Sequence, residues 1–217
     1  PAQPLTGFDR IIGDENTARS LRTRLGLIMA AGGKFSLRKL QDTVFNNRQY
    51  AGELWRDPAV EMCRSMALGE PCDVLARWNR RDDLDSRGAL LFRRFAERVL
   101  ALPDGGFATP YSPTDPVNTP RGLRTADPAV RKALTDAVAE LQGLGLPLDA
   151  PLRDVQAEQR GGERIPIHGG PGEAGLFNAI NVRAADLKPG KGYETVPHGS
   201  SFVQAVSFTQ PTSSAGT

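Results

Sequence analysis

Twenty-three glycines and 17 prolines interrupt this chain of 217 residues, so nearly one position in five lacks a packing side chain or a backbone donor. Helices and strands must therefore be short and linked by turns. The breakers condense between Pro103 and Ala126, where Pro, Gly, Thr and Asp replace periodic apolar residues; that stretch reads as a long irregular loop or wrapping segment. The length is enough to bury about 70% of the unfolded surface, as one large domain or two small ones.

Charge narrows the function classes. Lys and Arg number 27 against 25 Asp and Glu, a formal charge of +2, which argues against a nucleic-acid module built on bulk basicity. Arginine supplies 22 of the cations, interleaved with acids as in Arg80-Arg81-Asp82-Asp83, a pattern that reads as a mixed solvated surface. The longest apolar runs, such as Leu25 to Ala31, fall far below membrane-spanning length. Pro1 to Gly7 has no features of a secretory signal, and both ends look arbitrary, which predicts either a cytosolic chain or a segment of a longer one.

The first two thirds read as helices. Ala18, Leu21, Leu25 and Ile28 predict one from Glu15 to Ala31, with Asp14 as N-cap and Gly32-Gly33 as stop. Ser36 caps a second, carrying Leu37, Leu40, Val44 and Phe45. Asp57-Pro58 predicts a short helix with Val60, Met62 and Cys63, and Pro71 opens another with Val74, Leu75 and Trp78. Asp85 or Ser86 begins the longest amphipathic run, through Leu90, Leu91, Phe95 and Val99 to Leu102; Asp127-Pro128 launches a helix to Leu141, closed by Gly143. The tail changes period. Val155 to His168 around Gly161-Gly162 predicts a β-hairpin, and Asn178 to Val182 and Ser201 to Phe208 predict further strands. Helices followed by antiparallel strands mean α+β: residues 1–154 mainly helical, 155–217 mainly strands and loops.

Four motifs carry possible chemistry. Gly170-Pro-Gly172-Glu-Ala-Gly175 matches G-x-G-x-x-G, but a strand-like run follows it and no βαβ unit surrounds it, so a mobile loop is expected in place of a dinucleotide site. Asp83 to Gly88 resembles the start of a calcium loop but fails at Arg87 and Arg94, leaving helix capping as the role of its acids. His198-Gly-Ser200-Ser201 sets an imidazole beside hydroxyls without a nucleophile elbow, and reads as a turn before a strand. Cys63 and Cys72 fit either a bridge or two buried thiols, and four metal ligands cannot be gathered around them, His168 and His198 being far off in sequence.

Several stretches together resemble one family: Pro4 to Phe8 with Ile11-Ile-Gly13 and Thr17 to Arg24; Phe45-Asn-Asn-Arg48 with Ala51 to Leu54; Cys72 to Leu75; Asp83 to Gly88; Asp115 to Leu123; Gly161 to Gly170; and His198 to Phe202. They are similar to the β subunit of the penicillin acylase family, on the branch of aculeacin A acylase and acyl-homoserine-lactone acylases. The resemblance implies an N-terminal-nucleophile hydrolase of αββα fold, here partial. Such an enzyme is exported, periplasmic or secreted, and cuts itself into α and β chains. The new N-terminal serine attacks an N-acyl amide while its own α-amine, of ordinary pKa near 8, acts as base. A backbone N–H and an asparagine stabilise the oxyanion.

The resemblance further implies substrates among lipopeptide antibiotics, β-lactams and acyl-homoserine lactones, with roles in antibiotic biosynthesis or quorum quenching. The partners it implies are the α subunit, the rest of the β subunit and a small N-acylated substrate. Calcium occurs in some relatives, but no ligand set for it and no other cofactor is identified in these residues. The first residue is Pro1 and not serine, so the chain is expected to be an internal piece, inactive alone. Arg19 best matches the family arginine on the helix after the catalytic asparagine, which orients that asparagine and the nucleophile; Arg22 and Arg24 are neighbours, and a surface cation is the ordinary fate of such residues. The competing expectation is a non-catalytic binding or scaffold fragment whose Pro103–Ala126 loop and tail dock onto a partner.

Overall fold

The computed structural model describes Gly7 and residues 9–12, 17–200 and 202–208. Seven α-helices come first: α1 (Leu21–Ala30), α2 (Leu37–Val44), α3 (Tyr50–Ser65), α4 (Glu70–Arg77), α5 (Ala89–Leu100), α6 (Pro128–Gly143) and the single turn α7 (Leu152–Val155). Six strands follow: β1 (Ala157–Arg160), β2 (Glu163–Pro166), β3 (Ile180–Asn181), β4 (Leu187–Lys188), β5 (Gly192–Tyr193) and β6 (His198–Gly199).

Caps set several boundaries as expected. The Ser36 side chain accepts from the Lys39 N–H and starts α2, and Asp127 accepts from Ala129 N–H with Pro128 behind it to start α6. Two helices begin elsewhere than predicted. Helix α1 starts at Leu21 because Ser20 accepts from Thr23 N–H, so Ala18 lies outside it; the predicted cap Asp14 lies outside the described residues. Pro58 does not open a helix. It sits inside α3, which runs unbroken from Tyr50, because Trp55, Ala59, Val60 and Met62 are buried around it and outweigh the lost donor to the Leu54 carbonyl. The longest helices are accordingly α3 and α6, of 16 residues each, and α5 has 12.

Helices α3 to α6 enclose the core. Trp78 stacks on Phe92 at 4.5 Å, Phe92 meets Phe95 edge-on at 5.9 Å, and Trp55 lies 5.1 Å from Phe107. Each indole also satisfies its polar edge, Trp55 donating to Gly122 O at 3.0 Å and Trp78 to Arg81 O at 2.9 Å. A disulfide joins Cys63 on α3 to Cys72 on α4, resolving the two readings of that pair. The 103–126 segment holds no helix or strand, yet it is packed down: Thr119 and Leu123 are buried, and Trp55 grips Gly122.

The tail forms three separate two-stranded antiparallel pieces, β1 with β2, β3 with β6 and β4 with β5. Gly161 and Gly162, at φ +57° and +85°, supply the left-handed pair that closes the β1–β2 hairpin. The mixed helix and antiparallel character is α+β. The tail is nevertheless mainly loops: strands last two to four residues, and residues 202–208, expected as a strand, pair with nothing among the described residues. The density of Gly and Pro there limits how far any ladder can extend.

Candidate functional site

Arg19 stands half-buried one residue before the N-cap of α1, in the extended approach to the helix and not on it. Of its neighbours, Arg22 is exposed as expected but tied down, and Arg24 is buried. Arg22 donates through Nε to Leu176 O at 3.0 Å and through Nη2 to Phe177 O at 2.8 Å, and lies 5.1 Å over the Phe177 ring. Arg24 is 1% exposed; it donates to Val117 O at 2.5 Å and to Pro120 O at 2.7 Å, with Tyr50's ring 5.2 Å away. Phe177 O also accepts from Ala179 N–H, whereas Val117 O and Pro120 O have Arg24 as their donor among the described residues, one guanidinium fork satisfying both at once. Helix α1 is thereby fastened on one side to the Gly-rich turn and on the other to the wrapping loop.

A second polar centre lies where four distant stretches meet. Asn47, buried and left-handed at φ +49°, donates from Nδ2 to Asp83 Oδ1 at 2.8 Å. Its Oδ1 is 3.0 Å from Asn178 Nδ2 and 3.0 Å from His168 Nδ1. Asn178 also donates to Val44 O at 2.9 Å. Stretches quoted above for their resemblance, Phe45–Arg48, Asp83–Gly88 and Gly161–Gly170, therefore converge on one asparagine.

Directly beneath, Asp82 and Arg93 are both fully buried, with Arg93 Nη2 at 3.4 Å from Asp82 Oδ2. Gln49 Nε2 donates to Asp82 at 3.1 Å; Arg93 also donates to Gln156 Oε1 at 2.5 Å and to Gly169 O at 3.0 Å. Burial pushes the Asp82 carboxyl up to about 6, against the downward pull of Arg93 and Gln49. The Arg80–Asp83 run is thus not a solvated face: Asp82 turns inward, and Arg81 donates to Asn46 O.

The G-x-G-x-x-G segment packs on this network and is not a loose loop. A Cβ on Gly170 would meet Asp82 Oδ2 at 2.2 Å, and one on Gly175 (φ +87°) would meet Tyr50 Cβ at 2.7 Å. Its middle is a 3-10 turn, Gly172–Ala174, too short to present a helix terminus to a phosphate. The acids of Asp83–Gly88 are not caps either, since Gly88 caps α5 without a side chain; Asp83 holds Asn47 and Asp85 pairs with Arg153. His198 lies in β6, opposite Asn181 of β3. Among the described residues no three His, Cys, Asp or Glu are placed to hold a metal ion, and no helix is long and apolar enough to cross a membrane.

Above Asn47 opens a cleft of about 360 Å³ lined by Phe45, His168, Asn178, His198, Ser200 and Val203, among others. It gathers both histidines, which the sequence separates by thirty positions. Neither the Asp82–Arg93 pair nor the role of Asn47 has a local sequence signal; each partner is brought in by a different element.

A family model described as Penicillin amidase matches residues 4–217. Aculeacin-A acylase from Actinoplanes utahensis is 43% identical over 231 residues, which cover 95% of this chain and 28% of that protein. Acyl-homoserine lactone acylase PvdQ from Pseudomonas syringae pv. syringae is 33% identical over 226 residues, covering 97% and 28%; that from Pseudomonas fluorescens is 32% identical over 219 residues, covering 96% and 28%. The chain spans just over a quarter of the length of these curated relatives.

Proposed function

We propose a function from an established premise: the chain belongs to the penicillin amidase family. We read it as a β-subunit segment of an amide hydrolase, an acylase that cuts the N-acyl bond of an amphipathic substrate and releases the acid. The observation carrying this is the 43% identity to aculeacin-A acylase, sustained over 95% of the chain. Substrates of the kinds in its relatives' names, aculeacin A and acyl-homoserine lactones, are the candidates, with β-lactams a further one by family.

In this reading residues 1–217 contribute to an αββα core completed by the α subunit and the rest of the β subunit. The nucleophile is an N-terminal serine elsewhere in the polypeptide. Its hydroxyl attacks the amide carbonyl, its α-amine takes the proton, and water then frees the acid. Arg19 is a positioning residue that holds the oxyanion asparagine and the serine in line through its forked donors. The clasping of α1 by Arg22 and Arg24 supports this, because it anchors the helix that begins two residues after Arg19 and a positioning group needs a rigid mount. An exported, periplasmic or secreted location fits the Cys63–Cys72 disulfide.

The test is Arg19→Ala in a complete acylase carrying this segment. Turnover should fall about 100-fold in kcat with KM nearly unchanged, and Arg19→Lys should recover part of it. Unchanged turnover and self-processing would remove Arg19 from the mechanism. A complete protein that hydrolyses no N-acyl amide would replace the acylase by the non-catalytic scaffold.

A further inference from the structure

Three arginines meet at one small cleft. Arg48 and Arg81 are partners in an antiparallel β-bridge, held by Gln49 N–H donating to Arg80 O at 3.0 Å and Asp82 N–H to Asn47 O at 3.0 Å. Like charges directly opposite one another across such a bridge destabilise it. Arg80, the residue before Arg81, adds a second cost. Its φ is +61°, the left-handed region that a residue with a Cβ enters unfavourably. With Glu53 and Asn79, the three arginines line a cleft of about 290 Å³ that has no apolar side chain in its wall. Two unfavourable features at one spot are the mark of a site whose occupant offsets them.

The charges at the cleft do not balance. Arg48 donates through Nε and Nη2 to the two Glu53 oxygens at 2.6 and 2.8 Å, and that pair is neutral. Arg81 donates through Nη1 to Asn46 O, a neutral carbonyl, and has no carboxylate partner among the described residues. Arg80 has only Asp57 Oδ2 at 4.0 Å, beyond hydrogen-bond reach, and Asp57 is paired more closely with Arg56 at 2.7 Å. Two cations, Arg80 and Arg81, are thus left without a counter-charge. Asn79 adds a neutral donor. Its Oδ1 accepts from Arg81 N–H at 3.1 Å and lies 3.0 Å from Ser86 Oγ, and its Nδ2 has no acceptor among the described residues. A neutral ligand would leave both charges uncompensated, and a monocarboxylate would balance one of them.

We propose that this cleft binds a doubly charged oxyanion of the phosphate class, its oxygens accepting from Arg80, Arg81 and Asn79 while Glu53 keeps Arg48 in place. Guanidinium forks match the spacing of phosphate oxygens, and charge-assisted bonds of this kind are the strong ones. Inorganic phosphate and the phosphoryl group of a small phosphate monoester share that chemistry. Amide hydrolysis needs no phosphate, so failure of the acylase reading would leave this site standing.

The test is calorimetric titration of a complete protein carrying this segment, at pH 8, where phosphoryl groups are dianions, and about 0.15 M NaCl, which screens diffuse surface charge. Inorganic phosphate should bind saturably at one site, and acetate about tenfold more weakly or worse. Glycerol 3-phosphate binding tighter than phosphate names a monoester as the source, and the reverse names the free ion; both support the site. Arg80→Asn removes one cation and suits a left-handed backbone. It should weaken phosphate binding about 10- to 100-fold and yet raise the melting temperature in phosphate-free buffer, opposite signs that a merely structural arginine would not give. Arg38→Gln, which removes a cation 92% exposed on α2, should leave binding unchanged. The proposal is overturned by the absence of saturable phosphate binding, by acetate binding as tightly, by an equal loss in Arg38→Gln, or by wild-type affinity in Arg80→Asn. The phosphate and acetate series on the wild type decides the matter even if a variant fails to fold.

Discussion

Arg93 and Asp82 face each other at 3.4 Å with neither side chain reaching solvent, and they are not equal partners. Arg93 retains Gln156 Oε1 and Gly169 O whatever Asp82 does. Among the described residues the Asp82 carboxylate has only Gln49 and Arg93 as partners, and its burial outweighs both, which is why it rises to about 6. Removing the cation should therefore hurt far more than neutralising the anion. Arg93→Met strips donors from Asp82, Gln156 Oε1 and Gly169 O together and should cost about 3–5 kcal/mol. Asp82→Asn keeps an acceptor for Gln49 and Arg93 and should cost less. Urea denaturation at pH 7 compares them.

The same asymmetry predicts a pH dependence. The folded state raises the Asp82 pKa above its ordinary 3.8, so between about 4 and 6 the folded chain binds the proton that the unfolded chain has released. Stability from this group is then present at low pH and lost as pH rises to about 6, after which it is flat. Wild type minus Asp82→Asn, measured by urea midpoint from pH 4 to 7, isolates the effect. A difference that grows with pH would reverse the assignment.

Gly170 is required by this pair. A methyl group there would lie 2.2 Å from Asp82 Oδ2 and 3.0 Å from Arg93 Nη2, and two groups locked to each other and to Gln49, Gln156 and Gly169 cannot step aside. Gly170→Ala should cost several kcal/mol, at the upper end of overpacking effects of about 1–3 kcal/mol. Gly162→Ala meets open space and bears only the strain of φ +85°, about 1–2 kcal/mol. Thermal melting of the two variants should separate them clearly.

What the sequence made legible was local. Ser36 and Asp127 announce α2 and α6 because a cap acts within three residues of itself. Gly161-Gly162 announces its hairpin for the same reason. Pro58 misleads because an Asp-Pro pair looks alike at a helix start and inside a helix whose burial overrides the lost bond. Arg24 looks like any helical arginine until a loop over 90 residues away brings its carbonyls. Asn47 and His168 are 121 positions apart, and no spacing rule spans that distance. Family resemblance pointed to their stretches without saying that they touch.

The Cys63–Cys72 bridge closes a loop of nine positions between α3 and α4. Loop-closure entropy for so short a ring amounts to about 2–3 kcal/mol. Reductant should lower the urea midpoint of the wild type accordingly. The Cys63→Ala/Cys72→Ala double variant should start from that lower midpoint and ignore reductant. If reductant lowers both equally, the effect does not come from this bond.

Arg24 fixes how the wrapping loop lies on the helices. Its two donations, to Val117 O and Pro120 O, are made from a side chain 1% exposed, so truncation leaves two carbonyls without their donor. Arg24→Met keeps most of the volume and should cost about 2–4 kcal/mol, because each orphaned buried group costs about 1–3 kcal/mol and the sites relax in part. Arg24→Lys should recover less than half, since one ammonium cannot span both acceptors in the guanidinium's fixed geometry. The loss should be local before it is global. Amide exchange should speed up at Thr119 and Arg121, whose N–H groups bond Asp115 O and Thr109 O within the same loop, while α6 stays protected. Arg22→Met should leave those two amides untouched, because Arg22 grips Leu176 O and Phe177 O on the opposite side of α1.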